Sequence, residues 1–331
     1  MSALPGTERA AGIAERTRRW RISVGFIVGP TGAGKSALAM AVAERSNCEI
    51  INADSRQFYR GMDLGTAKPP AEDRRRVPHH LIDVRNPDES LDVAEFAQLA
   101  RAAIEEIAGR GRNPLVVGGS GLYLRVIRGG IFQGPAASAE IRGRLAKISA
   151  DHGVAHLHQR LRKIDPAAAN RIGVNDLYRI VRALEVFELT GETISAHQRR
   201  HRFADIGYDT LTVGVEVERK ELYEAIDRRF DAMVAAGLAA EVRALVEAGY
   251  SPEKPPLSTI GYKQIAAYLR GELALANAIA QAKQESRRLA KRQLTWFRRE
   301  PEIVWLDPER GAQDAPGMFE KFFAKGRRGS D

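Results

Sequence analysis

Apolar positions along this chain follow two rhythms. Short, nearly continuous apolar runs at 22–28 (ISVGFIV), 49–53, 80–84 and 114–117 have the length and composition of buried strands. Between them, 35–45 and 93–110 repeat apolar residues every three or four positions, as a helix with one buried face does. Strand and helix alternate, which predicts an α/β fold with a parallel sheet covered by helices. The rhythm breaks around 129–135. Residues 138–200 then read as helices only, at 139–151, 154–164, 166–172 and 176–190, the last stopped by Gly191. Strand character returns at 211–217 (LTVGVEV), followed by helices at 220–248, 261–270 and 273–299 and a short strand at 303–306. The predicted organisation is a polar, Arg-containing flexible tail over 1–20, an α/β core over 21–130, a helical insertion over 131–204, and completion of the core over 205–331.

The 331 residues suffice for two domains or one large α/β domain with an insertion. No apolar run nears the roughly 20 residues that span a bilayer. The N-terminus has no apolar segment of the signal-peptide kind, and Glu8 and Glu15 interrupt its basic character. Cys48 is the only cysteine, which excludes an internal disulfide and a cysteine-rich metal site and suits a reducing cytoplasm. The net charge of +9 changes the picture more, because a basic surplus favours docking on a polyanion and gives most metabolite kinases nothing.

The chemistry begins at Gly29-Pro30-Thr31-Gly32-Ala33-Gly34-Lys35-Ser36, a complete G-x-x-x-x-G-K-[ST] loop between a strand and a helix. Glycines there let backbone N–H groups close around phosphate oxygens, the helix N-terminus adds positive potential, Lys35 supplies a charge, and the Ser36 hydroxyl can hold Mg²⁺. After the second strand comes Asp54-Ser-Arg-Gln-Phe-Tyr59, running on to Gly65-Thr-Ala-Lys68-Pro69. A carboxylate at the end of a strand beside the phosphate-loop strand faces the ligand crevice of an open α/β sheet. Asp54 can there hold Mg²⁺ indirectly through the ion's own ligands, act as a general base, or cap its own turn. Gly118-Gly119-Ser120-Gly121 leaves the next strand, either as a close-approach turn with Ser120 in the same crevice or as a plain turn with Tyr123 packing under the sheet.

Three clusters are basic or amide-rich. Asn175-Asp176 opens a helix that carries Arg179 and Arg182 on one face, Thr259-Ile-Gly261-Tyr262-Lys263-Gln264 precedes another, and 283–299 holds seven Lys/Arg against one Glu. In that last stretch Arg288, Lys291, Arg292, Thr295 and Arg299 share one stripe, while Leu289, Gln293 and Trp296 share a neighbouring stripe suited to packing. Each cluster alone reads as a solvated face; together with the net charge they suggest a tRNA- or DNA-binding surface. The seven histidines show no metal spacing and read as structural or surface residues.

Taken together, GPTGAGKS, DSRQFYRGMDLGTAKP, PHHLID, VGGSGLY, RALEVFELTG, GYKQ and LAKRQLTWFRR resemble the tRNA isopentenyltransferase (tRNA dimethylallyltransferase) family in order and approximate spacing, over about Ile22 to Trp305. The resemblance implies a P-loop NTPase-like parallel sheet core with a helical insertion that grips the tRNA anticodon stem-loop. It implies transfer of a dimethylallyl group from dimethylallyl diphosphate to the N6 amine of the adenosine 3′ of the anticodon, position 37, by a cytoplasmic monomer using Mg²⁺ near Ser36. Gly29, Pro30, Thr31, Gly32, Ala33, Gly34, Lys35 and Ser36 would hold the diphosphate, and Asp54 would act as general base, with Ser120 beside it in the catalytic set. Asp54, Ser55, Arg56 and Gln57 would contact the target nucleotide. So would Tyr178, Arg179, Ile180, Val181 and Arg182, and Thr259, Ile260, Gly261, Tyr262, Lys263 and Gln264. Ser120 and Arg142 match positions that touch tRNA near the reaction channel.

Two positions depart from the family's pattern. Ser120 stands where Thr is usual and keeps the hydroxyl. Ala225 stands where Arg is frequent; if that Arg helps to bind diphosphate, Arg228 or Arg229 must compensate or affinity for the prenyl donor falls. Three other readings remain on the sequence alone: an adenylate isopentenyltransferase acting on AMP or ATP, a P-loop kinase of a small metabolite, and a non-catalytic RNA-binding module. The helical insertion and the basic helix argue against the first, the Asp54 block against the second, and correctly spaced Lys35, Ser36 and Asp54 against the third.

Overall fold

A computed structural model describes residues 21–130, 134–201 and 207–328; the tail expected over 1–20 lies outside them. The chain divides into two units, one running to Arg128 and resuming at Gly207, the other Gly129–Ile206.

The first unit is built on six parallel strands: β1 (Ile22–Val28), β2 (Cys48–Asn52), β3 (His79–His80), β4 (Asn113–Gly118), β5 (Tyr208–Val215) and β6 (Ile303–Leu306). Their order across the sheet is β3-β2-β4-β1-β5-β6. The sheet's middle is buried, with Val24, Phe26 and Ile27 fully enclosed, as a parallel sheet with covered faces requires. β1, which feeds the phosphate loop, is central, and the arrangement is a P-loop NTPase-like fold. One expectation is corrected here. Asp54 follows β2, which is not beside β1, because β4 lies between them. The expected strand over 80–84 shrinks to His79–His80, since Leu81 and Asp83 take positive φ and leave the sheet.

The helices of this unit are α1 (Lys35–Arg45), α2 (Ala71–Arg76), α3 (Val93–Gly109) and α4 (Gly121–Gly129), then, after the second unit, α10 (Arg219–Ala235), α11 (Leu238–Glu247), α12 (Tyr262–Leu269), α13 (Leu275–Phe297) and α14 (Pro308–Arg328). The helix expected over 220–248 is two, because Gly237 at φ +102° turns the chain between α10 and α11. Both α4 and α14 go unpredicted by periodicity, as glycines flank one and Gly311, Pro316 and Gly317 interrupt the other. Yet α14 buries Ala315, Phe319 and Phe323 in the core with α1 and β5 residues.

The second unit holds α5 (Ala139–His152), α6 (Val154–Ile164), α7 (Pro166–Arg171), α8 (Leu177–Thr190) and α9 (Ile194–His201). Leu145, Leu157, Leu161, Ile180 and Leu184 form its core. Glu185 is fully buried there and neutralised by Arg142 (2.8 Å) and Arg182 (2.7 Å). Among the described residues no helix is long and apolar enough to cross a membrane.

Candidate active site

Where β1 ends, Gly32 and Gly34 take φ +84°, a left-handed conformation that lets the loop turn into the start of α1. A Cβ on Gly32 would lie 2.8 Å from Ile226 of α10, so that helix packs on the loop. Lys35 donates to the Pro30 carbonyl at 2.8 Å. Burial lowers its pKa to about 8, with Asp54 opposing the shift and the cation of Arg229 adding to it. Ser36 is exposed at the helix start. Arg229, also on α10, donates to Thr31 Oγ1 at 2.6 Å, and burial lowers its pKa against the pull of Asp54. Arg228 points elsewhere, 72% exposed and 3.6 Å from Glu224. Of these two arginines, Arg229 is the one that contacts the loop.

Asp54 does cap its own turn, since Oδ1 accepts the Arg56 N–H at 2.9 Å. Among the described residues Oδ2 accepts none. Asn52 fixes the backbone around it, accepting from Asp54 N–H at 3.0 Å and donating to the carbonyls of Asp54 and Leu81. Two cavities meet at this carboxylate. The smaller, about 110 Å³, is lined by Lys35, Ser36, Asn52, Gln57 and His79. The larger, about 550 Å³, is lined by Ser55, Arg56, Ser120, Thr259, Ile260, Lys263 and Arg292, with Ile226, Phe230, Met233, Leu289 and Trp296 as apolar wall. Thr31, Asp54, Thr66, Gly119, Arg229 and Gln293 border both.

Several of these had no clear signal in the sequence. Thr66 is brought in by Glu241 of α11, which accepts the backbone N–H groups of Asp63, Leu64 and Gly65 at 3.1, 2.7 and 3.2 Å. Gln57 donates to the Thr66 and Ala67 carbonyls, both at 3.1 Å, and so ties the same loop. His79, read as structural, lines the smaller cavity; Nδ1 lies 2.8 Å from the Val77 carbonyl, so that nitrogen carries the proton. Tyr123 is the packing residue that the plain-turn reading expected, stacked on Phe96 at 3.9 Å, and burial raises its pKa to about 12.

Some of the other expected contact residues lie deeper or are already paired. Tyr262 and Gln264 are buried: the Tyr262 hydroxyl donates to Glu241 at 2.5 Å, and Gln264 accepts from Gly261 N–H at 2.8 Å. Their side chains support the 259–261 turn from beneath. Lys263 reaches the larger cavity while paired with Glu285 at 2.7 Å. In the second unit Ile180 is core, and Arg142 and Arg182 are engaged by Glu185. Tyr178, at 75% exposed, and Arg179 remain on the surface there, with Val181 half-buried. Among the described residues no group of three or more His, Cys, Asp or Glu could hold a metal.

Comparison with known proteins gives one answer. The sequence profile of the IPP transferase family matches residues 57–300. The tRNA dimethylallyltransferase of Geobacter metallireducens is 47% identical over 299 residues, covering 90% of this chain and 94% of that protein. The full-length tRNA isopentenylpyrophosphate transferase of Bacillus halodurans superposes with a TM-score of 0.69 at 38% identity, covering 93% of this chain and 99% of that one. A eukaryotic dimethylallyltransferase captured acting on tRNA gives 0.72 at 27% identity, with 92% and 77% covered. With a profile match over most of its length and the same fold in solved relatives, this chain belongs to the IPP transferase family.

Proposed function

We propose that the protein transfers the dimethylallyl group of dimethylallyl diphosphate to the exocyclic N6 amine of the adenosine 3′ of the anticodon, position 37, in tRNA, releasing diphosphate. Family membership supports the reaction class. The observation that carries the assignment of parts is that Asp54 stands in the wall shared by the phosphate-loop cavity and the larger cavity. On this reading the diphosphate lies against the 29–36 loop with Lys35 and Arg229, and the adenine enters through the larger cavity past Ser55, Arg56 and Ser120.

The adenine amine is a weak nucleophile because its lone pair is delocalised into the ring. Asp54 takes its proton as the new N–C bond forms. The C–O bond to diphosphate breaks with its electron pair on oxygen, and loop amides, Lys35 and Arg229 receive that charge. Ile226, Phe230, Met233 and Leu289 keep water from the allylic carbon. A Mg²⁺ ion fits the residues present: one exposed hydroxyl, Ser36, beside Lys35 suits a cation held mainly by substrate phosphates, not a protein cage. When bound it would neutralise charge on the departing diphosphate. Extruding the base costs a few kcal/mol, less in a loop than in a duplex. The helical unit would grip the anticodon stem-loop, with Tyr178 able to stack on an unpaired base and Arg179 able to meet phosphate.

The test offers labelled dimethylallyl diphosphate and Mg²⁺ with unmodified tRNA or with AMP, to the wild type and to D54N. Label in tRNA, with kcat reduced about 10²- to 10⁴-fold in the variant, is expected. Label in AMP would move the assignment to the adenylate enzymes, and an unaffected D54N would remove Asp54 as the base.

A further inference from the structure

The Gln293 carboxamide is a built feature of the site with no part in the chemistry above. Its Oε1 accepts the Thr31 N–H of the phosphate loop at 2.9 Å, and its Nε2 donates to the Gly119 carbonyl at 2.9 Å. These partners leave the neighbouring strands β1 and β4. One offers only N–H and the other only C=O, so the amide has one orientation, and no other side chain of this length serves both. A carboxylate would turn a second acceptor on the Gly119 carbonyl, and an apolar side chain would serve neither.

The seat beneath α13 is close. A Cβ at Gly119 would fall 2.5 Å from Gln293 Nε2, and one at Gly121 would fall 2.1 Å from the Trp296 ring, over which the Arg125 guanidinium lies at 5.0 Å. Only glycines allow the helix to rest there. Away from that seat, α13 exposes Arg288, Lys291 and Arg292 to solvent, a run suited to a phosphate backbone. One helix thus carries an exposed basic stripe and, a residue away, a side chain that grips the phosphate loop and the Ser120 turn together.

We propose that Gln293 is a positioning residue that couples the two substrates: RNA held on the exposed stripe fixes α13, and Gln293 passes that constraint to Thr31. The allylic diphosphate and the RNA then raise each other's affinity by one common factor, as linkage requires. This rests on the function proposed above.

The experiment measures binding of inorganic diphosphate with Mg²⁺ by calorimetry, with and without saturating unmodified tRNA, in wild type, Q293M and G119A, with melting curves for each. In wild type, tRNA tightens diphosphate binding by about 5- to 150-fold, the usual range of coupling between sites. In Q293M, of similar volume but without the bonds, and in G119A, which displaces the same amide from its other partner, the ratio falls to near one. A general loss of structure would weaken both arms together and leave their ratio unchanged. Independent binding in wild type overturns the proposal without any variant, and so does coupling that survives in a folded Q293M or G119A. Wild-type protein that transfers no prenyl group to tRNA would sink the assigned activity; transfer with independent binding would sink the coupling alone.

Discussion

Replacing Arg229 by glutamine removes a cation that the fold has built into the phosphate loop. Its guanidinium donates to Thr31 Oγ1 at 2.6 Å and borders both cavities. A hydrogen bond to a charged group contributes about 1.5–3 kcal/mol. At ~1.4 kcal/mol per factor of ten, that is a loss of about 10- to 150-fold in kcat/KM. One effect runs the other way. Arg229 helps to depress Lys35, so in R229Q the Lys35 pKa rises from about 8 and its ammonium is more fully charged, which sets the loss toward the low end. R229K keeps a charge but not the planar fork and recovers part of the rate. R228Q is the control: that side chain is 72% exposed and 3.6 Å from Glu224, an interaction of roughly 0–1 kcal/mol, so kcat/KM changes by less than about fivefold. The assay titrates labelled donor at saturating tRNA. R229Q within about threefold of wild type, or R228Q the more damaged, would refute the reasoning.

Lys35, at about 8, is cationic below that pH and neutral above it, so donor affinity falls as pH rises through 8 while K35R stays flat; binding titrations from about pH 6.5 to 9.5 check this, and a flat wild type counts against it. In the helical unit, burial by itself would raise Glu185, but hydrogen bonds from Arg142, Arg182 and the Ser138 amide hold it down to about 2. Its folded pKa lies below the usual 4.5, so its contribution is complete above 4.5 and is lost as pH falls toward 2. Glu185→Ala leaves two arginines unpaired at the rim of a core, and since their side chains are 38% and 28% exposed the cost lies at the low end of the buried-pair range, ~3 kcal/mol; an unchanged melting temperature would show that the cluster is not structural.

The elements that escaped periodicity did so for identifiable reasons. Gly311, Pro316 and Gly317 look like helix breakers, yet α14 forms because Ala315, Phe319 and Phe323 find a core to enter. Tyr262 and Gln264 belong to a motif that reads as ligand-facing, but their side chains are buried beneath the turn, where Tyr262 bonds Glu241 and Gln264 accepts from Gly261 N–H. Helical spacing puts Gln293 on a packing stripe but does not say what it packs against, because a helical period names a face and not its neighbour.

What the chain determines by itself is local. The phosphate loop, Asp54 and the Gly119-Ser120 turn are short runs in which backbone conformation and side-chain chemistry are set within a few residues, so spacing reveals them. Which of Arg228 and Arg229 faces the loop, that β4 separates Asp54 from β1, and that Thr66, Arg229 and Gln293 border the same two cavities as Asp54 were decided only by tertiary structure. These depend on sheet order and on the rotation of α10 and α13 about their axes. That rotation is fixed by contacts with residues remote in sequence, such as Ile226 over Gly32 and Trp296 over Gly121, where a missing Cβ makes the room.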